Sequence, residues 1–127
     1  MIKIKKMGEN VLKKKSFDFA VRIVNLFKFL KEDKKEFVLS KQILRSGTSV
    51  GAMVREAEHA QSKLDFIHKL SIAQKEINET IYWLELLVAT NYIDKNQFES
   101  LNTSAIELIK LITSSIKTAK QSLTTNH

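Results

Sequence analysis

The sequence contains no cysteine and no proline among its 127 residues, and it has only three glycines. Without cysteine the chain cannot form disulfide bonds, perform thiol-based catalysis or hold a cysteine-ligated metal. Proline and glycine interrupt helices more often than other residues do. A chain of this length with so few of them is therefore predicted to be largely helical. The length suits one domain with a substantial core.

Long apolar runs are also missing. No stretch approaches the roughly 20 residues that cross a bilayer, so we expect no membrane helix. The basic N-terminus is not followed by the apolar segment that a secretory signal peptide needs. Together with the lack of cysteine, these features predict a cytoplasmic protein that does not associate with membranes.

The positive charge is concentrated near the N-terminus. The formal net charge is +7, from 21 Lys and Arg against 14 Asp and Glu. Residues 1–15 contain six lysines and one glutamate, whereas the rest of the chain is close to balanced. We therefore divide the chain into a basic leader, residues 1–15, and a helical domain, residues 16–127. Such a leader can bind nucleic-acid phosphates without reading sequence, or it can be a solvated tail that improves solubility.

Four segments of the chain carry apolar residues at helical spacing. The second runs from about Leu39 to Gln61. Ser62 followed by Asp65 matches a capping box at the start of the third, and Asp94 with Gln97 matches one at the start of the fourth. Four such segments with short connections predict an all-α fold, an up-down-up-down antiparallel four-helix bundle.

The first segment, from about Ser16 to Lys34, is apolar on most of its sides. Phe19, Leu26 and Phe29 widen its apolar surface well beyond a single stripe. A helix of this kind needs two burial surfaces. One is the bundle core, and we predict that the other faces a second subunit.

Gly47 and Gly51 lie among serines and a threonine, within residues 45–63, RSGTSVGAMVREAEHAQSK. This composition raises the question of a phosphate-binding loop. A P-loop has lysine and then serine or threonine after its second glycine, but Ala52 and Met53 stand there. The apolar spacing continues through both glycines, so we predict a helix. Each glycine costs about 1 kcal/mol relative to alanine. We expect these small residues to let a neighbouring helix approach, with phenylalanines of the first segment filling the groove.

Few residues point to a metal or to catalysis. Glu56 and His59, and likewise Asp65 and His68, have the spacing used in di-iron bundles, but both pairs flank one turn beside apolar positions. We predict surface polar residues there and no metal site.

The glutamates Glu76 and Glu79 share a helix face and could form a carboxylate pair for acid–base chemistry. Trp83 could stack on a base, although a position at a core edge or interface is more common. We predict no enzymatic activity and no cofactor. The two glutamates are instead expected to form salt bridges with a neighbouring base, Lys69, Lys75 or Arg45.

The stretch from Leu39 to Leu87 resembles a bacterial four-helix bundle protein family. The resemblance is carried by RSGTSVGA at residues 45–52, by Glu56, by Ser62 with Asp65 and Phe66, and by KLSIAQKEINETIYWLELL. The family includes proteins encoded in intervening sequences of large-subunit ribosomal RNA genes and the accessory variability determinant of diversity-generating retroelements. The resemblance implies a small all-α protomer in a homopentameric ring without enzymatic activity. For the retroelement members it implies binding to nucleic acid and to a reverse transcriptase.

Two functions are consistent with these features. The first is a homo-oligomer that binds nucleic acid, RNA more than DNA, through basic surfaces. The second is a structural module that docks a partner protein such as a reverse transcriptase, with lysines that only aid solubility. Gly47 and Gly51 are predicted to act in helix packing. The residues predicted to bind nucleic acid are Lys3, Lys5, Lys6, Lys13, Lys14, Lys15, Arg45, Arg55, Lys63 and Lys69.

Overall fold

Four α-helices account for almost the whole chain. The computed structural model describes residues 2–125, with side chains for residues 10–124. The helices are α1 (Ile2–Glu32), α2 (Leu39–Glu58), α3 (Lys63–Ala89) and α4 (Lys95–Thr125). Helices α1 and α3 each pack against α2 and α4, while the diagonal pairs make no close backbone contact among the described residues. The predicted four-helix bundle is confirmed.

Helix α1 is longer than the sequence pattern predicted. The expected start near Ser16 was wrong, because α1 begins at Ile2 and continues through the basic segment. Leu12 and Ser16 are both buried, so this part of the helix packs against the bundle. The proposed leader is therefore not separated from the domain by a break in secondary structure. Helix α2 is slightly shorter than predicted and ends at Glu58.

The predicted capping residues start α3 and α4. Ser62 Oγ accepts a hydrogen bond from the Asp65 backbone N–H at 3.0 Å. At α4, Asp94 Oδ1 accepts from the Gln97 N–H at 2.7 Å, and Gln97 Oε1 accepts from the Asp94 N–H at 2.9 Å. The second pair forms a complete capping box, which satisfies two backbone donors that the helix itself leaves unpaired.

The glycine seam of α2 is a packing surface, as predicted. A Cβ atom on Gly47 would lie 2.7 and 2.8 Å from two carbons of Ile23, and one on Gly51 would lie 3.2 Å from the Ser16 carbonyl oxygen. The expectation that phenylalanines fill the groove was wrong, because Ile23 and the backbone at Ser16 occupy it. Glycine at position 47 lets α1 approach α2 more closely than a side chain would allow, and glycine at position 51 avoids a tight contact with the Ser16 carbonyl oxygen.

The core runs along the centre of the bundle and draws on every helix. Within residues 2–125, no helix is both long enough and apolar enough to cross a membrane. The buried positions of α2 follow the spacing that predicted its seam: Ile43, Gly47, Val50, Val54 and Ala57.

Candidate nucleic-acid interface

Three of the six predicted lysines on α1 each bind a carboxylate. Lys13 pairs with α2 and Lys15 with α4, so these two help to join helices, whereas Lys14 pairs within α1. Exposed pairs of this kind contribute little to stability, but each carboxylate offsets the charge available to a phosphate. The Nζ–carboxylate distances are 3.2 Å for Lys13–Glu58, 2.9 Å for Lys14–Asp18 and 3.0 Å for Lys15–Glu107.

The predicted lysines nearest the N-terminus are Lys3, Lys5 and Lys6. They lie in the helical backbone of α1, and their side chains fall outside the residues whose side chains are described. Their assignment to nucleic-acid binding stays a prediction.

Arg45 is held at the α2–α3 interface by two carboxylates. Its guanidinium lies 2.9 Å from Glu76 and also binds Glu79. The hydrogen bond to Glu79 and the charges of both glutamates raise the pKa of Arg45 above its ordinary value. Glu76 is buried, so its carboxylate depends on this arginine for compensation. The predicted salt bridges of the glutamate pair are present, and their partner is Arg45.

Glu79 also accepts a hydrogen bond from Trp83, at 3.0 Å from Nε1 to Oε2. This bond, followed by the interaction with Arg45, lowers the pKa of Glu79 below its ordinary value although partial burial acts in the opposite direction. Trp83 is half-buried and packs edge-on against Tyr82, with ring centres 5.0 Å apart. The indole is therefore part of the helix interface, and its N–H is already used.

The remaining predicted cations have mixed surroundings. Lys69 binds Glu56 at 3.1 Å. Lys63 donates to the Ser122 hydroxyl, and Arg55 lies over the Phe17 ring at 5.8 Å. Arg55 and Lys63 therefore retain a charge that no carboxylate offsets among the described residues.

The histidine pairs near the α2–α3 turn do not come together as a metal centre. Glu56, His59 and Asp65 line a shallow groove of about 540 Å³ together with Arg55 and Lys69. No group of three or more histidine, aspartate or glutamate residues with a metal-binding arrangement occurs in the described part of the chain. The groove mixes acids with bases: Glu56 pairs with Lys69, and an Asp65 carboxylate oxygen accepts from the Gln61 N–H at 3.3 Å.

A second group of lysines, not predicted from the sequence, lies at the connection between α1 and α2. Residues 28–41 carry five lysines against two exposed acids, Glu32 and Asp33, and one buried acid, Glu36. The signal was the charge run KEDKKE between two helical segments. The lysines are Lys28, Lys31, Lys34, Lys35 and Lys41, and none forms an ion pair with a described residue.

A family model for the 23S rRNA-intervening sequence protein matches residues 9–114 of this chain. The chain belongs to this family. A crystal structure of a protein with unknown function from the S23 ribosomal protein family of Bacteroides thetaiotaomicron VPI-5482 is 64% identical to it. That similarity has a TM-score of 0.86 and covers 87% of this chain and 98% of the other. No curated protein matches the chain.

In this intervening-sequence family member, the signature stretch RSGTSVGA connects α2 to both neighbours. Arg45 binds α3 through two glutamates, and the buried Ser46 hydroxyl lies 2.9 Å from the Thr80 hydroxyl of α3. Gly47 and Gly51 face α1. The residues that carry the family resemblance thus have a structural role at the two interfaces of α2.

Proposed function

We propose that this intervening-sequence family protein is a non-enzymatic, cytoplasmic protein that binds nucleic acid, RNA more than DNA. The observation that carries the proposal is a net charge of +7 in a member of the 23S rRNA-intervening sequence protein family. Lysines and arginines attract phosphates regardless of sequence, so the charge favours a nucleic acid as the partner, and the 23S rRNA in the family's name favours RNA. The glutamates best suited to acid–base chemistry bind Arg45 instead, which supports a role without catalysis.

We also infer that the protein acts as a homo-oligomer, and the family resemblance implies a pentamer. An apolar strip on the outer side of α1, beside α2, supports self-association. Phe17 is 54% exposed and Val21 is 45% exposed, and the half-buried Ala20, Val24 and Phe27 continue the strip. A second copy would cover these side chains. A ring would also repeat each weak phosphate contact in every subunit and so raise the overall affinity.

The RNA proposal is tested by titrating a labelled structured RNA with the purified protein at increasing salt. We expect binding at low salt that weakens linearly on a plot of the logarithm of affinity against the logarithm of salt concentration. The control is a helical protein of equal net charge and unrelated fold. Binding no tighter than that of the control would overturn the proposal.

The oligomer proposal is tested by light scattering on the wild type and on Phe17→Asp. The wild type is expected to have the mass of a ring, and the variant a lower mass, because a charge in the strip opposes its burial. Tyr82→Asp is the control, since Tyr82 has a similar exposure, 55%, on α3. A monomeric wild type at micromolar concentration would contradict this proposal.

The second candidate function is docking of a partner protein such as a reverse transcriptase, as the family resemblance implies. The same strip on α1 favours it, because a partner could cover Phe17 and Val21 in place of a second copy. The two functions differ in salt dependence. An apolar protein contact should strengthen or stay constant with added salt, whereas an RNA contact should weaken.

A further inference from the structure

The connection between α1 and α2 is a loop that exposes apolar side chains to solvent. Phe37 is 50% exposed and Val38 is 69% exposed. The loop is fixed from inside by Glu36, which is buried, and whose carboxylate accepts from the backbone N–H of Ser40 at 2.7 Å and of Val38 at 3.3 Å. A buried glutamate thus caps α2, and the aromatic ring beside it stays outside.

The backbone of this loop also carries a lysine where glycine is favoured. Lys35 has φ 54°, in the left-handed region, and this turn brings the Glu36 N–H to the Leu30 carbonyl at 2.9 Å. A side chain at such a position strains the backbone, and glycine is the common solution at helix ends. At the α3–α4 turn, at the same end of the bundle, the left-handed residue is Asn91, which tolerates this region better. Lys35 therefore adopts a backbone conformation that glycine or asparagine adopts more readily.

The charges of residues 28–41, the segment that contains Phe37, are mostly positive. Lys31 and Lys34 lie over the rings of Phe27 and Phe29, at 6.0 and 5.7 Å, and neither forms an ion pair with a described residue. The other three lysines are Lys28, Lys35 and Lys41. The acids on the same segment are Glu32 and Asp33, both exposed, and Glu36, whose oxygens are occupied by backbone donors.

We propose that the α1–α2 loop binds unpaired nucleotides of RNA, with Phe37 stacking on a base and Lys35 and Lys41 contacting the flanking phosphates. An exposed aromatic ring between lysines is the arrangement with which proteins bind single-stranded nucleic acid. The excess of lysine favours a polyanion over a protein surface, and two apolar side chains are too few to anchor a lipid surface. This inference rests on the proposed RNA binding and assigns it to a site that the sequence analysis did not find.

The test pairs two glycine variants, Lys35→Gly and Asn91→Gly. Each relieves a left-handed backbone, so each is expected to raise the melting temperature, Lys35→Gly by about 2–6 °C and Asn91→Gly by less, because asparagine tolerates this region better. Only Lys35→Gly should weaken binding to a labelled single-stranded RNA. In this variant the logarithm of affinity should fall less steeply with the logarithm of salt concentration, the slope being smaller by about one for each protomer engaged. Stability and binding then move in opposite directions, which a folding defect cannot produce.

A second pair of variants separates stacking from charge. Phe37→Ala is expected to lower affinity for single-stranded RNA about fivefold or more without changing the salt slope, because stacking involves no phosphate. Tyr82→Ala is the control, an equally exposed aromatic on α3. The wild type should also prefer the single strand to the same strand in a duplex, whose bases are already stacked.

The outcomes distinguish the loop from the broader proposal. If the wild type does not bind RNA, the proposed function and the loop assignment both fall. If the wild type binds but Lys35→Gly and Phe37→Ala bind as well as their controls, RNA binding stands and the loop assignment is overturned.

Discussion

Helix α2 meets its two neighbours through opposite kinds of contact. Towards α1 it offers glycines, and the fit depends on the absence of side chains at Gly47 and Gly51. Towards α3 it offers polar groups, and the fit depends on the presence of Arg45 and Ser46. The first interface should be damaged by atoms that are added, and the second by groups that are removed. Three substitutions and a change of pH, in order of decreasing expected effect, test this difference.

Adding a side chain to the glycine seam should have the largest effect. Gly47→Val places branched carbons where Ile23 already lies, so α1 must move and the free energy of unfolding should fall by about 3 kcal/mol. Urea denaturation followed by circular dichroism measures the change. Ala52→Val, on the exposed side of the same helix, should lose only about 0.5 kcal/mol through helix propensity.

A rescue experiment identifies the cause. Combined with Ile23→Ala, Gly47→Val should recover about 1–2 kcal/mol relative to the sum of the single changes, since the valine fills the space vacated by isoleucine. Simple additivity of the two changes would contradict a direct clash across this interface.

Removing the cation from the polar interface should come second. Arg45→Met leaves the buried Glu76 carboxylate without its partner, and the free energy of unfolding should fall by about 2 kcal/mol. Lys41→Met, at an exposed lysine of α2 that forms no ion pair with a described residue, provides the matched control. A similar loss in both variants would show that Arg45 has no special role in joining α2 to α3.

The hydroxyl pair between α2 and α3 should have a smaller effect. Thr80→Val removes the hydroxyl that lies 2.9 Å from Ser46 Oγ in the core, and about 1 kcal/mol should be lost because the Ser46 hydroxyl stays buried without it. Adding Ser46→Ala should restore most of the stability, since no polar group is then left without a partner. A further loss in the double variant would argue against this pairing.

Acidification should produce the smallest effect. The pKa of Glu79 is below its ordinary value of 4.5, so its contribution to stability is complete above that pH and is lost as the pH falls through the lower folded value. Trp83 emission should change in the same acidic range, because its Nε1–H donates to this carboxylate. Arg45→Met should move the change to higher pH. An unaltered transition in Glu79→Gln would assign it to another group.

The apolar spacing and the capping residues were sufficient to predict the four helices. Periodicity identifies buried positions such as Ile43 and Val54 because a helix places every third or fourth residue on one face. It could not identify the start of α1, since lysine forms helices well and is common in solvated tails too. Within residues 10–15, whose side chains are described, Leu12 marks the buried side, and one buried apolar residue before a run of three lysines is a weak signal.

The candidate site was less accessible to prediction than the fold. Counting lysines selects residues by charge, but the useful charge depends on which carboxylates lie nearby, and those of Lys15 and Lys69 come from other helices. The left-handed backbone of Lys35 could not be predicted from the sequence, because lysine does not favour this conformation. Residue type therefore identified an electropositive protein, and only the three-dimensional arrangement separated its free lysines from its paired ones.

The close approach of α1 to α2 has a consequence for how this family can diverge. Position 47 faces the side chain of residue 23, so relatives with alanine or serine at 47 should carry a smaller residue at 23. Position 51 faces the backbone at residue 16, so a substitution at residue 16 does not remove the atoms that a side chain at position 51 would meet. Across an alignment of relatives, we therefore expect positions 23 and 47 to covary, whereas position 51 should vary little whatever its neighbours become.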